Sequence, residues 1–355
     1  MFRPVPSRTR MPEEPAMAQV LRPAPHATES CGVGRRSLLL GTAAWCAAAG
    51  GCAPGRGPSA ETPPAAGVRT PAGAARATAA APWRPGPGEI QPAAKLAAVR
   101  LVEALGTWPP GGGGPRNAAA RAAALGIPAP LAARLAAEAG PLTPAADQAA
   151  VRVIDAQYGG LLPDTASVLV PCAQSTRTGS TVREGGTTVD VRLDRTSTGW
   201  AVTALHPGHP GPAAPLGASA RAVLDRPRIE LPPDSAADVR SGEVHESVLR
   251  AMLRLADTYR MSVSVVRSGH PLNVFGTGRP SDHPVGRAFD VWAVDGHPVV
   301  DPATPRSLVT AFMRAAAAAG SYNVGGPVRL SGGTRPNQFF SDATHHDHVH
   351  IGFAT

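Results

Sequence analysis

Two short stretches near the C-terminus decide how this chain reads: Ser281-Asp282-His283-Pro284-Val285-Gly286-Arg287-Ala288-Phe289-Asp290 and, 57 residues after Asp290, Asp347-His348-Val349-His350. Of the 11 histidines in the chain, four fall between positions 345 and 350. His348 and His350 lie in a stretch that reads as a terminal strand, His348–Phe353, and a two-residue spacing puts both on one side of it. Asp347 then points the other way, unless the strand begins with a bend there. His283 and Asp290 are an odd number of residues apart and cannot share a face of one regular strand. Pro284 and Gly286 supply the break that would bring them together. Two imidazoles and one carboxylate make a three-ligand zinc set with a fourth position open to water. Zinc lowers the pKa of that water and polarises a carbonyl, and a nearby carboxylate must then take and return the proton. The same donors suit other divalent ions. Taken singly, His283 beside Asp282 reads as a surface turn, and the terminal HHDHVH as an adventitious metal-binding tract or a cloning scar. Against the scar, Asp347 and Val349 interrupt the tract and it runs on into Ile351-Gly352-Phe353.

Working outward, residues 234–355 read as a compact α+β domain. Val248, Leu249, Met252, Leu253, Ala256 and Tyr259 mark one helix face, with Arg250, Arg254 and Asp257 opposite. Ser262–Val266 reads as a strand, as does the alternating run 288–293. A second helix is expected from Thr304 as N-cap through Pro305, Leu308, Val309, Phe312 and Met313 to Gly320. Upstream, residues 89–206 read as a small helical-then-β-meander module. Leu96, Val99, Leu101 and Val102, then Val151, Val153 and Ile154, suggest three or four short helices. Ser167–Val170, Thr187–Leu193 and Trp200–Leu205 suggest strands. No catalytic constellation is visible there, and the expectation is a structural or binding module. A Pro/Gly-rich stretch makes 207–233 a linker.

The chain carries 39 glycines and 39 prolines in 355 residues, well above the roughly 12% of an average chain, so one core running its full length is not expected. From 52 to 88 it is Ala, Pro, Gly, Thr and Arg with almost no large apolar residue, a disordered tether. Residues 1–51 read as an export signal. Gly34-Arg35-Arg36 precedes an apolar run in twin-arginine fashion, and Ala49-Gly50-Gly51 before Cys52 resembles a lipobox that would make Cys52 the lipid attachment. The 34 residues before the arginine pair are long for such a signal, so Met11 and Met17 are alternative starts. The expected location is the outer face of the cell membrane, facing the wall. Beyond Cys52 only Cys172 remains, which leaves no intrachain disulfide and a small apolar packing role. The formal charge of +8 divides as +3 over 1–51, +5 over 52–233 and zero over 234–355. With no basic run or aromatic-interleaved stripe, nucleic acid is excluded as a partner; a monomer is expected.

Ser281, His283, Gly286, Ala288 and Asp290 fill S-x-H-x-x-G-x-A-x-D, and Asp347, His348 and His350 fill D-H-x-H. The pair resembles the LAS group of zinc metallopeptidases, which holds D,D-carboxypeptidases, phage endolysin peptidases and the hedgehog signalling domain. The resemblance covers about 234–355. It implies an antiparallel sheet with helices on one side, and one zinc ion per chain held by His283, Asp290 and His350. By the same resemblance Asp347 is the general base, His348 stabilises the oxyanion, and the substrate is the stem peptide of peptidoglycan. The chain departs from the group at Ser268-Gly269-His270-Pro271, where Pro271 replaces a substrate-binding arginine of an S-G-Y-R segment. Arg267, His270, Arg279 and Ser281 are the candidates for that role. Carboxypeptidase and endopeptidase action both stay open, as does a catalytically inactive zinc-containing wall-binding lipoprotein, for which the hedgehog branch is the precedent.

Overall fold

The computed structural model describes residues 82–355. The expected export signal, Cys52 and the expected tether as far as residue 81 lie outside the described residues. The last stretch assigned to the tether is part of the fold: Trp83 packs against an apolar core, and the Gly88 carbonyl accepts a hydrogen bond from His346 Nε2 at 3.1 Å.

An N-terminal lobe begins with three helices, α1 Pro92–Gly106, α2 Pro115–Ala123 and α3 Ala129–Glu138, each with a proline in its first turn, where the missing N–H is no loss. Five strands follow: β1 Gln148–Val153, β2 Gln157–Leu161, β3 Thr165–Thr178, β4 Thr181–Thr196 and β5 Gly199–Pro207. The segment holding Val151 and Val153 is therefore a strand and not the expected helix. It pairs antiparallel with β3, Val151 opposite Gln174 and Val153 opposite Cys172, which suits β-branched residues at alternate positions. β3, β4 and β5 form the meander, while β1 and β2 divide the outer edge of β3 between them. One core joins α1 and α3 to Tyr158, Val168, Val170, Cys172, Val189 and Val191.

The C-terminal lobe starts earlier than position 234. Half of the expected linker is structured: α4 Ala218–Leu224 puts Val223 in the core, and β6 Ile229–Glu230 pairs parallel with β7 Met261–Val265. α5 Pro233–Ser241 and α6 Glu246–Ala256 lie between those strands, followed by β8 Ala288–Val294 and β9 His297–Pro298. α7 Arg306–Ala318, β10 Asn323–Gly325, β11 Phe339–Phe340 and β12 Val349–Gly352 complete it. Pro305, not Thr304, is the residue capping α7, and the Thr304 hydroxyl bonds back to the Pro298 carbonyl at 2.6 Å. The sheet runs β11-β10-β12-β8-β7-β6, with β9 also on β8. Its centre, β10 through β7, is antiparallel, and the outer pairs β10/β11 and β6/β7 are parallel. The fold is thus α+β with antiparallel and mixed sheets. No helix among the described residues is long and apolar enough to cross a membrane.

Strand parity then sorts the two sides of this sheet. Val263, Phe289, Val291, Val349 and Ile351 face a core shared with Val248, Met252, Phe312 and Met313 of α6 and α7. Asp290 and His350 alternate with these residues and project from the other face. That face meets the N-terminal lobe.

Candidate metal centre

Asp290 and His350 are directly opposed across the antiparallel β8/β12 pair, so their side chains leave the sheet side by side. His283 arrives from a turn. Gly286, at φ +70°, donates its N–H to the His283 carbonyl at 2.8 Å and accepts from His245 N at 2.9 Å. A Cβ at Gly286 would lie 2.0 Å from the Glu243 carbonyl oxygen, so only glycine closes this turn. His283 Nδ1 stands 2.8 Å from the Val266 carbonyl oxygen, a partner that only accepts, so Nδ1 carries the proton. The bare lone pair is thereby left on Nε2. Fixing the tautomer through a backbone carbonyl in this way is how proteins prepare a metal-binding imidazole.

His283 Nε2, Asp290 Oδ1 and His350 Nδ1 form a triangle with sides of 3.2, 3.0 and 3.2 Å. A tetrahedral zinc with bonds of roughly 2.0–2.1 Å has donor–donor edges of about 3.3 Å, so the triangle has the size of one face of such a shell. His270 also comes close: His270, His283 and Asp290 each place a donor atom within 4.8 Å of the other two. His270 lies flat on His283, ring centroids 4.0 Å apart and planes 16° from parallel. His270 Nδ1 is moreover 3.0 Å from the Pro271 carbonyl. The donor chemistry thus fits a divalent ion, with His270 stacked behind one of the ligands.

Electrostatics favour the ligand forms. Burial opposes charge on Asp290, but His283 and His348 beside it hold its carboxyl well below the usual range. Burial pushes His350 down to about 4 against the pull of Asp290, and burial with the nearby His283 lowers His270 well below its ordinary value. His350 is thus neutral at pH 7, as metal binding requires.

Asp347 does not face this triangle. A short 3₁₀ turn, Thr344–His346, precedes it, and Asp347 and His348 form the bend before β12, which starts at Val349 and not at the expected His348. Its Oδ1 accepts from His348 Nδ1 at 2.6 Å, and its Oδ2 accepts from the Lys95 ammonium at 2.6 Å and the Tyr158 N–H at 3.0 Å. Burial would raise this carboxyl, but Lys95 and His348 hold it low. Both oxygens of Asp347 are thus engaged, one by His348 and the other by the N-terminal lobe. His348 carries its free Nε2 toward the site, 3.7 Å from Asp290 Oδ2.

These groups open into a cleft of about 600 Å³, lined by both lobes: Tyr158–Leu161 of β2 and the following Leu162 on one side, Phe340 and Thr344–His345 on the other. No family model, curated protein or solved structure matches the chain. Among the residues expected to bind substrate, Arg279 is exposed, lines the cleft and has no carboxylate partner among the described residues. Arg267 is spent elsewhere, paired with Asp238 and Glu243 of α5 and the turn after it. The Ser281 hydroxyl accepts from His283 N in its own turn and meets His270 Nδ1 outside it, at 3.4 Å each. His270 lines this cleft and a neighbouring one of about 750 Å³ that continues between the lobes.

Sequence reasoning missed four residues, all from the N-terminal lobe. Gln157 Nε2 donates to Asp290 Oδ2 at 2.6 Å, while its carbonyl oxygen accepts from the Ser264 hydroxyl. Tyr158 and Lys95 hold Asp347 as described. Gly160 of β2 lets the lobe approach, since a Cβ there would sit 2.1 Å from that of Phe275. The only signal in the sequence was that Lys95 is the one lysine among 34 basic residues.

Proposed function

We propose that this chain is a zinc-dependent peptidase acting on peptidoglycan stem peptides at the outside of the cell, anchored there through Cys52. The observation that carries the reading is the His283–Asp290–His350 donor triangle, sized for one metal face and opening on a cleft beside the Asp347–His348 pair. The resemblance of its two motifs to the LAS peptidases supplies the substrate class.

Held by His283, Asp290 and His350, a zinc ion would supply Lewis acidity toward a carbonyl oxygen and a lowered pKa for water. The chain's own residues do the rest. Gln157 occupies the second oxygen of Asp290, keeping that carboxylate in one orientation. Asp347 accepts a hydrogen bond from His348 Nδ1 and so presents the Nε2 lone pair to the cleft, where it can take a proton from the attacking water and give it to the leaving amine. In its protonated form His348 donates a hydrogen bond to a developing oxyanion. The proton-carrying role thus moves from Asp347 to His348. Arg279 at the mouth offers a charge for a substrate carboxylate.

The test is mass spectrometry of stem peptides incubated with wild type and with His283→Ala. One bond cut by wild type alone supports the reading. A protein that binds zinc and cuts nothing would favour a wall-binding lipoprotein, a reading to which Pro271 and the enclosed Asp347 already lend weight.

A further inference from the structure

We propose that Lys95 is a positioning residue for the Asp347–His348 pair, so that the N-terminal lobe completes the active site of the lobe that carries the motifs. This rests on the peptidase reading above.

Lys95 sits on α1, 252 positions before Asp347, with its side chain 1% exposed. Its ammonium lies 2.6 Å from Asp347 Oδ2, 2.6 Å from Glu89 Oε2, and 4.7 Å from the centre of the Tyr158 ring. A buried ammonium is costly unless each of its protons has a partner, and here two carboxylates and an aromatic face provide them. Every other basic residue of the chain is arginine. Lysine alone delivers a compact point charge, where a planar guanidinium would need a wider, forked set of acceptors. The interaction has a direction. Lys95 touches none of the three metal donors, and its path to the cleft runs through one carboxylate: Lys95 to Asp347 Oδ2, and Asp347 Oδ1 to His348 Nδ1. Without Lys95, Oδ2 keeps only the Tyr158 N–H, and the carboxylate is free to rotate away from His348. A lobe that merely tethered or bound wall polymer would not need to place its only lysine there.

The experiment uses the full chain labelled with ¹⁵N at lysine and histidine side chains. The single ammonium is expected as one signal, slowed in exchange, that shifts or vanishes in Asp347→Asn. The His348 Nδ1–H signal, far downfield in wild type, is expected to move upfield or disappear in Lys95→Met. On stem peptide, Lys95→Met should lose about 10–100-fold in kcat, the usual cost of an outer-shell partner, with KM and zinc content unchanged. Lys95→Met combined with Asp347→Asn should be no slower than Asp347→Asn alone, because the two act as one unit. An ammonium indifferent to Asp347→Asn, an unmoved His348 signal, or additive losses in the double variant would overturn the proposal. If Lys95→Met does not fold, Lys95→Met with Glu89→Gln removes both charges and is read the same way. A wild type that holds zinc and cuts nothing fails the peptidase reading only, and the two NMR signals still decide whether Lys95 sets His348.

Discussion

Replacing Gly286 by alanine separates two costs that the structure assigns to different glycines. Gly286 and Gly296 both adopt left-handed backbone, φ +70° and +81°. At Gly296 a new Cβ meets nothing within 4 Å, whereas at Gly286 it lies 2.0 Å from the Glu243 oxygen, 3.1 Å from the Glu243 carbonyl carbon and 3.2 Å from Val244 Cα. Both variants incur the left-handed penalty of roughly 1–2 kcal/mol, partly offset by about 0.4–1 kcal/mol from a stiffer unfolded chain. Only Gly286→Ala must also move backbone by about an ångström, an overpacking cost of roughly 1–3 kcal/mol more. Denaturant unfolding should therefore show Gly296→Ala within about 1.5 kcal/mol of wild type, and Gly286→Ala lower again by about 1–3 kcal/mol. Because the same turn aims His283, Gly286→Ala should also weaken zinc binding while Gly296→Ala leaves it intact. Equal destabilisation of the two, with equal zinc affinity, would refute the argument that this turn needs glycine for close approach.

Three further outcomes follow from the geometry. Gln157→Leu removes the donor to Asp290 Oδ2 and should cost about 10–100-fold in zinc affinity, measured by chelator competition. Arg279→Ala should raise KM for a stem peptide about two- to tenfold with kcat unchanged, whereas Arg267→Ala should lower thermal stability and leave KM alone, its charge being bound to Asp238 and Glu243. Glu89, pushed by burial from 4.5 up to about 7, binds its proton more tightly folded than unfolded. Its contribution to stability is thus full below pH 4.5 and lost as the pH rises through 7. Glu89→Gln, which mimics the protonated form, should match wild type at acid pH and exceed its stability above pH 7 by up to about 3 kcal/mol, at roughly 1.4 kcal/mol per pH unit. A constant difference between the two across that range would contradict the assignment.

Much of the C-terminal site was legible in the sequence because its parts are set by local geometry. The spacing puts His350 in the strand beside Asp290, although that strand begins at Val349 and not at the expected His348, which lies in the bend before it; the Pro284 and Gly286 break is what turns His283 back toward Asp290. The α6 face and the β8 strand were likewise written in short-range periodicity. Helix was expected around Val151 because an alanine-rich context leads into it, but the strand there exists only because β3 offers it an edge. The linker hid α4 and β6 for a similar reason: a two-residue strand has no period of its own and is defined by β7. Strand parity already pointed Asp347 away from His348 and His350, and only the motif resemblance made it the base; its partners on Oδ2, Lys95 and the Tyr158 N–H, come from the other lobe and leave no local trace. A second such bolt, Asp234 of α5 accepting from Thr188 N at 2.7 Å and Thr187 Oγ1 at 2.9 Å, was equally invisible. Contacts between residues this far apart in the chain leave no periodic trace, and composition offers a hint only when a residue type is as rare as this lone lysine.

The measurement that bears most directly on the metal centre is zinc stoichiometry of the purified protein beside its His283→Ala, His350→Ala and His270→Ala variants. One zinc per chain in wild type and in His270→Ala, with none retained by His283→Ala or His350→Ala, is the predicted result. Zinc lost in His270→Ala and kept in His350→Ala would mean that the stacked histidine is the ligand and that the donor triangle has been drawn on the wrong residue.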